Sequence, residues 1–312
     1  MIVTVTPNPS VDRTYEIPAL AAGEIHRATR VHQEPGGKGV NVTRALTVNG
    51  VPSLAVLPCG GTEGEVLTTL LEAERVPYRT VPIAGSVRVN VSLTEPGGRA
   101  TKINEAGPAL DAGELEQLTS TALAAAGPGD WIVCSGSLPP GVAPDYYVSV
   151  GRRAHAAGLR FALDTSGAAL RAGLDARPDV VKPNVDELAE VTGQPISTVG
   201  EAVAGARALL ARGARCVVVS MAADGALLVS PRGAWHALAG ASAVRSTVGA
   251  GDALLAGFFA DGGAGEDALR EAVLWATAAV GVEGSRVPHI GDAVRRATHV
   301  AVQRAAHRQT MN

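Results

Sequence analysis

The sequence predicts an α/β fold in which stacked βαβ units build a mainly parallel sheet. Short runs rich in Val and Ile recur along the chain, with the length and residue types of buried strands. Longer stretches of helical period lie between them, several closed by a glycine where a helix would stop. In chain order, the runs are IVTVT at 2–6, SLAVLP at 53–58, DWIVCSG at 130–136, LRFALD at 159–164, DVVK at 179–182 and RCVVVS at 215–220. KGVNVTRALTVNG carries apolar Val40, Ala45, Leu46 and Val48 on a helix that Gly50 ends. DAGELEQLTSTALAAAG and VGEAVAGARALLARG read as two more amphipathic helices. Residues 12–34 and 87–105 break this rhythm. They alternate polar with apolar, and Pro96-Gly97-Gly98 reads as a hairpin turn, so both are expected as extra antiparallel strands standing off the main sheet. Such strands are either surface decoration or a small lid over the carboxyl ends of the sheet, where open α/β folds bind ligands. Composition is uniform from residue 1 to residue 312, with no linker or repeat, which predicts a single domain.

The balance of residues excludes several classes of function. Hydrophobic residues make up 46% of the 312, ample for a large core, and the net charge of −3 provides no general field for nucleic acid. Aromatic residues are only 3%, too few for a base-stacking platform. Cys59, Cys134 and Cys216 are odd in number and far apart, as buried free thiols are. Met1 leads directly into IVTV, and no apolar run reaches membrane-spanning length, so a cytoplasmic protein without membrane partners is expected.

Chemistry concentrates at glycine-rich helix starts. In RSTVGAGDALLAGFF, residues 245–259, Gly249, Ala250 and Gly251 let backbone N–H groups approach an anion at the mouth of an apolar helix. Asp252 follows at once, either as an acid favoured by the helix dipole or as a base for an attacking hydroxyl. A dinucleotide fingerprint is excluded, because Leu254 stands where its third glycine belongs. GGKG at 36–39 lacks the Ser or Thr that a Walker A loop needs after its lysine. Gly36-Gly37-Lys38-Gly39 makes a second such start, in which Lys38 and Asn41 supply a point charge and an amide suited to a phosphorylated sugar; a plain helix-starting turn is the alternative. Arg27, Lys38, Arg88 and Lys102 form a basic group in or near the off-sheet strands. Asp12 after the first strand is a turn-former or an acceptor for sugar hydroxyls. Asn184 and Glu187 have capping-box spacing, and their alternative is a water-mediated magnesium site.

Assembled in order, the motifs TVTPNPSVDRTYEI at 4–17, GEIHR at 23–27, PGGKGVNVTRAL at 35–46, VRVN at 87–90, TKINEAGP at 101–108, SGSLPPG at 135–141, LDTSG at 163–167, KPNVDEL at 182–188 and STVGAGDALLAGF at 246–258 resemble the ribokinase-like (PfkB) family of carbohydrate kinases. The likeness is to its phosphosugar branch, that of the 1-phosphofructokinases, and covers nearly the whole chain. It implies a three-layer α/β/α ribokinase-like fold with a small β-sheet lid from about 12–34 and 87–105. It also implies transfer of a phosphoryl group from ATP, with Mg²⁺, to the C6 hydroxyl of fructose 1-phosphate. Tagatose 6-phosphate or fructose 6-phosphate are the alternative acceptors, and a sugar-phosphate-binding regulator without turnover is the alternative class. By the same resemblance Asp252 is the catalytic base, and the amides of Gly249, Ala250 and Gly251 are its anion hole. Asp12, Gly37, Lys38, Asn41 and Ser137 are assigned to the sugar, and Arg88, Arg27 and Lys102 to its phosphate. Lys182, Asn184, Ser220, Gly225, Val248, Gly249 and Gly251 are assigned to the nucleotide side, with Asn184 and Glu187 toward the metal. Exposed edges of the lid strands lead to the expectation of a homodimer through the lid. The chain departs from the family pattern at Ala222, where relatives often have glycine in the nucleotide turn, at Ala106 in INEAGP, and at Ser246 before TVGAGD.

Overall fold

Alternate residues of each apolar run point to opposite sides of a strand, and in the computed structural model that alternation divides the core between two helical layers. The structure describes residues 1–240, 244–305 and 311. Its strands are β1 (Ile2–Val5), β2 (Ser10–Glu16), β3 (Arg30–Gly36), β4 (Ser53–Cys59), β5 (Tyr78–Pro82), β6 (Arg88–Thr94), β7 (Ala100–Asn104), β8 (Trp131–Ser135), β9 (Arg160–Asp164), β10 (Val180–Val181), β11 (Val217–Ser220), β12 (Ala226–Ser230), β13 (Gly233–Ala239) and β14 (Val300–Arg304). Its helices are α1 (Lys38–Val48), α2 (Gly61–Ala73), α3 (Ala112–Ala124), α4 (Tyr146–Ala156), α5 (Gly167–Gly173), α6 (Val185–Thr192), α7 (Val199–Ala211), α8 (Ala250–Ala260), α9 (Gly265–Val280) and α10 (Asp292–Ala297).

The main sheet has the order β14-β13-β12-β11-β10-β9-β8-β1-β4-β5. From β11 to β5 every pairing is parallel, and β12, β13 and β14 add an antiparallel end. Val3, Val5, Ile132, Cys134, Val217 and Val219 face the layer holding α3, α4, α5, α6 and α7. Their neighbours Ile2, Trp131, Val133 and Val218 face α1, α8 and α9. The result is the three-layer α/β/α fold predicted from the motifs, with the central strands β1, β8 and β11 buried on both sides as parallel sheets require.

The two stretches without helical period form a second sheet, ordered β3-β2-β6-β7. Its β2/β3 and β6/β7 pairs are antiparallel, and the chain reverses at residues 95–99, where the Gly98 N–H donates to the Glu95 carbonyl at 3.2 Å. The β2/β6 pair is parallel, contrary to the expectation of purely antiparallel strands. Between them the chain runs through β3, α1, β4, α2 and β5, and so enters β6 from the same end as β2. The second sheet joins the main body without a linker: β3 ends at Gly36, and α1 starts at Lys38.

Candidate active site

Parallel strands deliver their carboxyl ends to one edge of the sheet, and the polar residues of the motifs converge there. Asp164 ends β9, Lys182 follows β10, Lys38 opens α1, Glu187 lies in the first turn of α6 and Asp252 in the first turn of α8. Asp164 is fully buried, and its Oδ1 accepts from Lys38 Nζ at 3.0 Å and lies 3.2 Å from Lys182 Nζ. Lys38 Nζ also reaches Glu187 Oε1 at 3.4 Å. Asp252, 8% exposed, accepts through Oδ2 from Asn41 Nδ2 at 2.8 Å. Helix α8 begins beside the second lysine, because a Cβ built on Gly251 would stand 3.5 Å from Lys182 Nζ. Gly249 caps that helix in the left-handed region, φ 76°, and packs on Ser285, where any side chain would crowd the backbone. The N–H groups of Gly249 and Gly251 have no hydrogen-bond partner among the described residues, and that of Ala250 makes only a 3.4 Å turn contact to the Thr247 carbonyl.

These charges set one another's protonation. Burial disfavours the ionised form of Asp252, and the neighbouring Asp164 carboxylate adds to this; Lys38, Asn41 and Lys182 oppose it, and the balance raises its pKa to about 6. Burial also works against Asp164, yet the ammonium groups of Lys182 and Lys38 prevail and hold its carboxyl below the usual range. For Lys38, burial is outweighed by Asp164, Glu187 and Asp252, so its ammonium is held more firmly than in water. Two carboxylates with the same intrinsic acidity are thus driven apart, one fixed as an anion and the other left near neutrality, a pattern typical of sites that move protons.

On the side of the second sheet, Asp12 Oδ1 accepts from Asn90 Nδ2 at 2.9 Å and from Ser10 Oγ at 2.7 Å. Gly37 lies against Thr6 and Pro9. Asn8 spans two loops, its Nδ2 donating to the Ala106 carbonyl at 3.0 Å and to Ser137 Oγ at 3.4 Å. Arg88 Nη1 donates to the Glu105 carbonyl at 3.0 Å, and Arg88 borders an open cavity of about 820 Å³ between the second sheet, Glu63 of α2 and residues 105–109. Arg27 and Lys102 are exposed, and their side chains make no hydrogen bond or ion pair among the described residues, so the structure does not bring them into the cluster. Several buried polar atoms here have no hydrogen-bond partner among the described residues: Thr6 Oγ1, Asn8 Oδ1, Asn90 Oδ1, Ser135 Oγ, Arg88 Nε and Asp164 Oδ2. Unsatisfied buried groups are rare in folded chains, and grouped in this way they mark where a polar ligand is met.

On the opposite side, Ser220 ends β11 and its N–H donates to the Pro183 carbonyl at 3.1 Å. Gly225 closes the following turn, and Val248 is exposed at the start of the glycine loop. Ala222 has φ 50°, so it occupies the left-handed conformation that glycine adopts without a Cβ penalty. Asn184 and Glu187 form the capping box, with the Glu187 N–H donating to Asn184 Oδ1 at 2.7 Å and the Asn184 N–H to Glu187 Oε2 at 2.9 Å. Glu187 Oε1 is left to face Lys38, so the capping role and a place at the site are compatible. Among the described residues no group of three or more His, Cys, Asp or Glu could hold a metal by itself. The unpartnered Asp164 Oδ2 and the half-committed Glu187 nevertheless fit a magnesium ion that keeps its waters and takes most ligands from a phosphate chain.

The profile of the pfkB family of carbohydrate kinases matches residues 5–290. The chain belongs to that family. This pfkB kinase is 39% identical over 306 residues to the 1-phosphofructokinase of Haloferax volcanii, covering 97% of this chain and 98% of that protein. It is 37% identical over 257 residues to the ATP-dependent 6-phosphofructokinase isozyme 2 of Mycobacterium tuberculosis strain H37Rv, covering 82% and 76% of the two. Among solved structures, phosphofructokinase-2 from Escherichia coli in complex with substrates and products superposes with a TM-score of 0.88 at 32% identity, covering 95% of this chain and 97% of that one. In this pfkB kinase, sequence reasoning assigned no role to Asp164, although it lies within the LDTSG motif. The only signal was a carboxylate at the carboxyl end of an apolar strand, and its two lysine partners are 126 and 18 residues away.

Proposed function

We propose that the protein transfers the γ-phosphoryl group of ATP to the C6 hydroxyl of fructose 1-phosphate, forming fructose 1,6-bisphosphate and ADP. The observation that carries this reading is the buried Asp252 carboxylate, with a pKa of about 6, in the first turn of a helix whose Gly249 and Gly251 amides have no hydrogen-bond partner among the described residues. At neutral pH it is mostly ionised and takes the proton of the attacking hydroxyl as the new O–P bond forms and the bond to the ADP oxygen breaks. The Gly249, Ala250 and Gly251 amides hold the equatorial oxygens of the transferring group, and Lys38 and Lys182 offset its charge. Asp164 keeps the two lysines in place. Asp12, Gly37, Asn41 and Ser137 orient the sugar, and Arg88 binds its existing phosphate. Mg²⁺, when bound, neutralises phosphate charge; Asn184 and Glu187 would hold it through water, with Asp164 nearby. ATP as donor is supported by the naming of the mycobacterial relative as ATP-dependent, and Ser220, Gly225 and Val248 border the nucleotide on this reading.

The second sheet then acts as a lid over the reacting groups. A homodimer through that lid belongs to the same proposal and is supported by exposed apolar Ile25, Val31 and Ile103 on it. A cytoplasmic location is supported by the absence, among the described residues, of any helix long and apolar enough to cross a membrane. The likeness to 6-phosphofructokinases favours a second reading, in which fructose 6-phosphate is the acceptor. A coupled assay of ADP release across fructose 1-phosphate, fructose 6-phosphate and tagatose 6-phosphate tests both. The expected result is a kcat/KM at least about tenfold higher for fructose 1-phosphate, a difference of about 1.4 kcal/mol in transition-state binding. A preference for either 6-phosphate overturns the first reading.

A further inference from the structure

We infer that Arg44 is a positioning residue for the reaction: it fixes which end of the Asn41 amide faces Asp252. Asn41 and Arg44 lie three residues apart on α1, on neighbouring turns of one face. Arg44 Nη1 donates to Asn41 Oδ1 at 3.2 Å, while Asn41 Nδ2 donates to Asp252 Oδ2 at 2.8 Å. A guanidinium has donors and no acceptor, so it can meet only the amide oxygen, and the NH₂ must then turn toward the carboxylate. With the amide reversed, an oxygen would face Asp252 and a second N–H would face the cation, two repulsive contacts in a buried site.

Arg44 is itself held rigidly. It is 4% exposed and meets Glu74 in a two-point contact, Nε to Oε2 at 2.7 Å and Nη2 to Oε1 at 2.8 Å. The same Nη1 that orients Asn41 also donates to Ser285 Oγ at 2.9 Å and to the Pro35 carbonyl at 3.2 Å. Glu34 stands 3.7 Å from its other terminal nitrogen. Ser285 in turn is the residue on which Gly249 packs. One buried cation therefore connects the base's partner, the residue backing the glycine loop and the foot of β3. The relay Glu74–Arg44–Asn41–Asp252 commits both polar ends of Asn41 to protein groups, which narrows the part this side chain plays in holding the sugar.

This inference rests on Asp252 acting as the base, and the experiment separates the two claims. In Arg44→Lys, which keeps a cation but loses the fork, kcat should fall about tenfold or more with KM for ATP and sugar phosphate within about twofold. Asn41→Ala should lose at least as much kcat, with KM for the sugar phosphate also rising from the lost contact to the sugar, and the double variant Asn41→Ala/Arg44→Lys should be no worse than Asn41→Ala alone, because residues acting in series are not additive. The ¹⁵N side-chain NH₂ signals of Asn41, identified by their loss in Asn41→Ala, should be protected from solvent exchange in the wild type and exposed in Arg44→Lys; this readout needs no turnover. Multiplying losses in the double variant, a raised KM at unchanged kcat, or unaltered NH₂ protection would each overturn the role of Arg44. An Asp252→Asn variant with wild-type kcat would instead overturn the reading of the base, while the NH₂ result would still judge the relay.

Discussion

Replacing Asp252 with Asn should make the protein more stable and nearly inactive. The ordinary aspartate pKa is 3.8, and burial followed by the Asp164 charge raises it to about 6 in the folded chain. That shift of roughly two units corresponds to about 3 kcal/mol, at about 1.4 kcal/mol per unit. The sign follows from proton binding. Between the two values the folded state holds the proton more tightly than the unfolded one, so stability declines as pH rises through that window, and the full penalty stands above the folded pKa. Asparagine cannot ionise, and its carbonyl can still accept from Asn41 Nδ2. Urea denaturation at pH 7.5, followed by the fluorescence of the three tryptophans, should therefore show the variant up to about 3 kcal/mol more stable than the wild type, with the gain vanishing toward pH 4. Turnover should fall by about 10²- to 10⁴-fold, and the wild-type kcat/KM should lose tenfold per pH unit below about 6. Phosphate monoesters also titrate near pH 6, so the denaturation arm, run without substrate, is the discriminating one. A variant no more stable than the wild type at pH 7.5 refutes the reasoning.

Arg88→Ala should raise KM for the sugar phosphate about tenfold or more with kcat nearly kept, as loss of one charge-assisted phosphate contact requires; steady-state kinetics with sugar phosphate varied will check it. Asp164→Asn should cost about 3 kcal/mol or more in urea denaturation, since it leaves two ammonium groups on one buried site without their shared anion. Ala222→Gly should stabilise the protein by up to about 1 kcal/mol by relieving the left-handed backbone at φ 50°. The KM for ATP should then stay within about twofold, and a tenfold change would show that the alanine tunes the nucleotide turn.

Much of the fold was legible because a strand buried on both faces needs a near-continuous apolar run, and IVTVT, DWIVCSG and RCVVVS have no competing period. β5 was not predicted because only Val81 within Tyr78–Pro82 is buried, so this edge strand carries little apolar signal. Strands β12, β13 and β14 were missed too: ALLVS is a short apolar run with no period of its own, GAWHALA is only partly buried, VAVQR is mostly exposed, and the pairing of β13 with β14 has no local signature. At the site, glycine loops and the acid that follows them were readable because backbone approach to an anion demands small residues. Asp164 and Arg44 were not, because their significance lies in partners brought together only by the finished topology: Lys38 and Lys182 for the one, Glu74 and Ser285 for the other.

The junction between β3 and α1 consists of Gly37 alone, with φ 115° and ψ 135°, and a methyl group there would stand 2.8 Å from Thr6 Cγ2. A rigid strand on one side and a rigid helix on the other make this residue a pivot with no slack. A swing of the four-stranded sheet that left the φ and ψ of Gly37 unchanged would turn the first turn of α1, and with it the ammonium group of Lys38. Engagement of the sugar by the cover and alignment of the charges beneath it would be a single mechanical event.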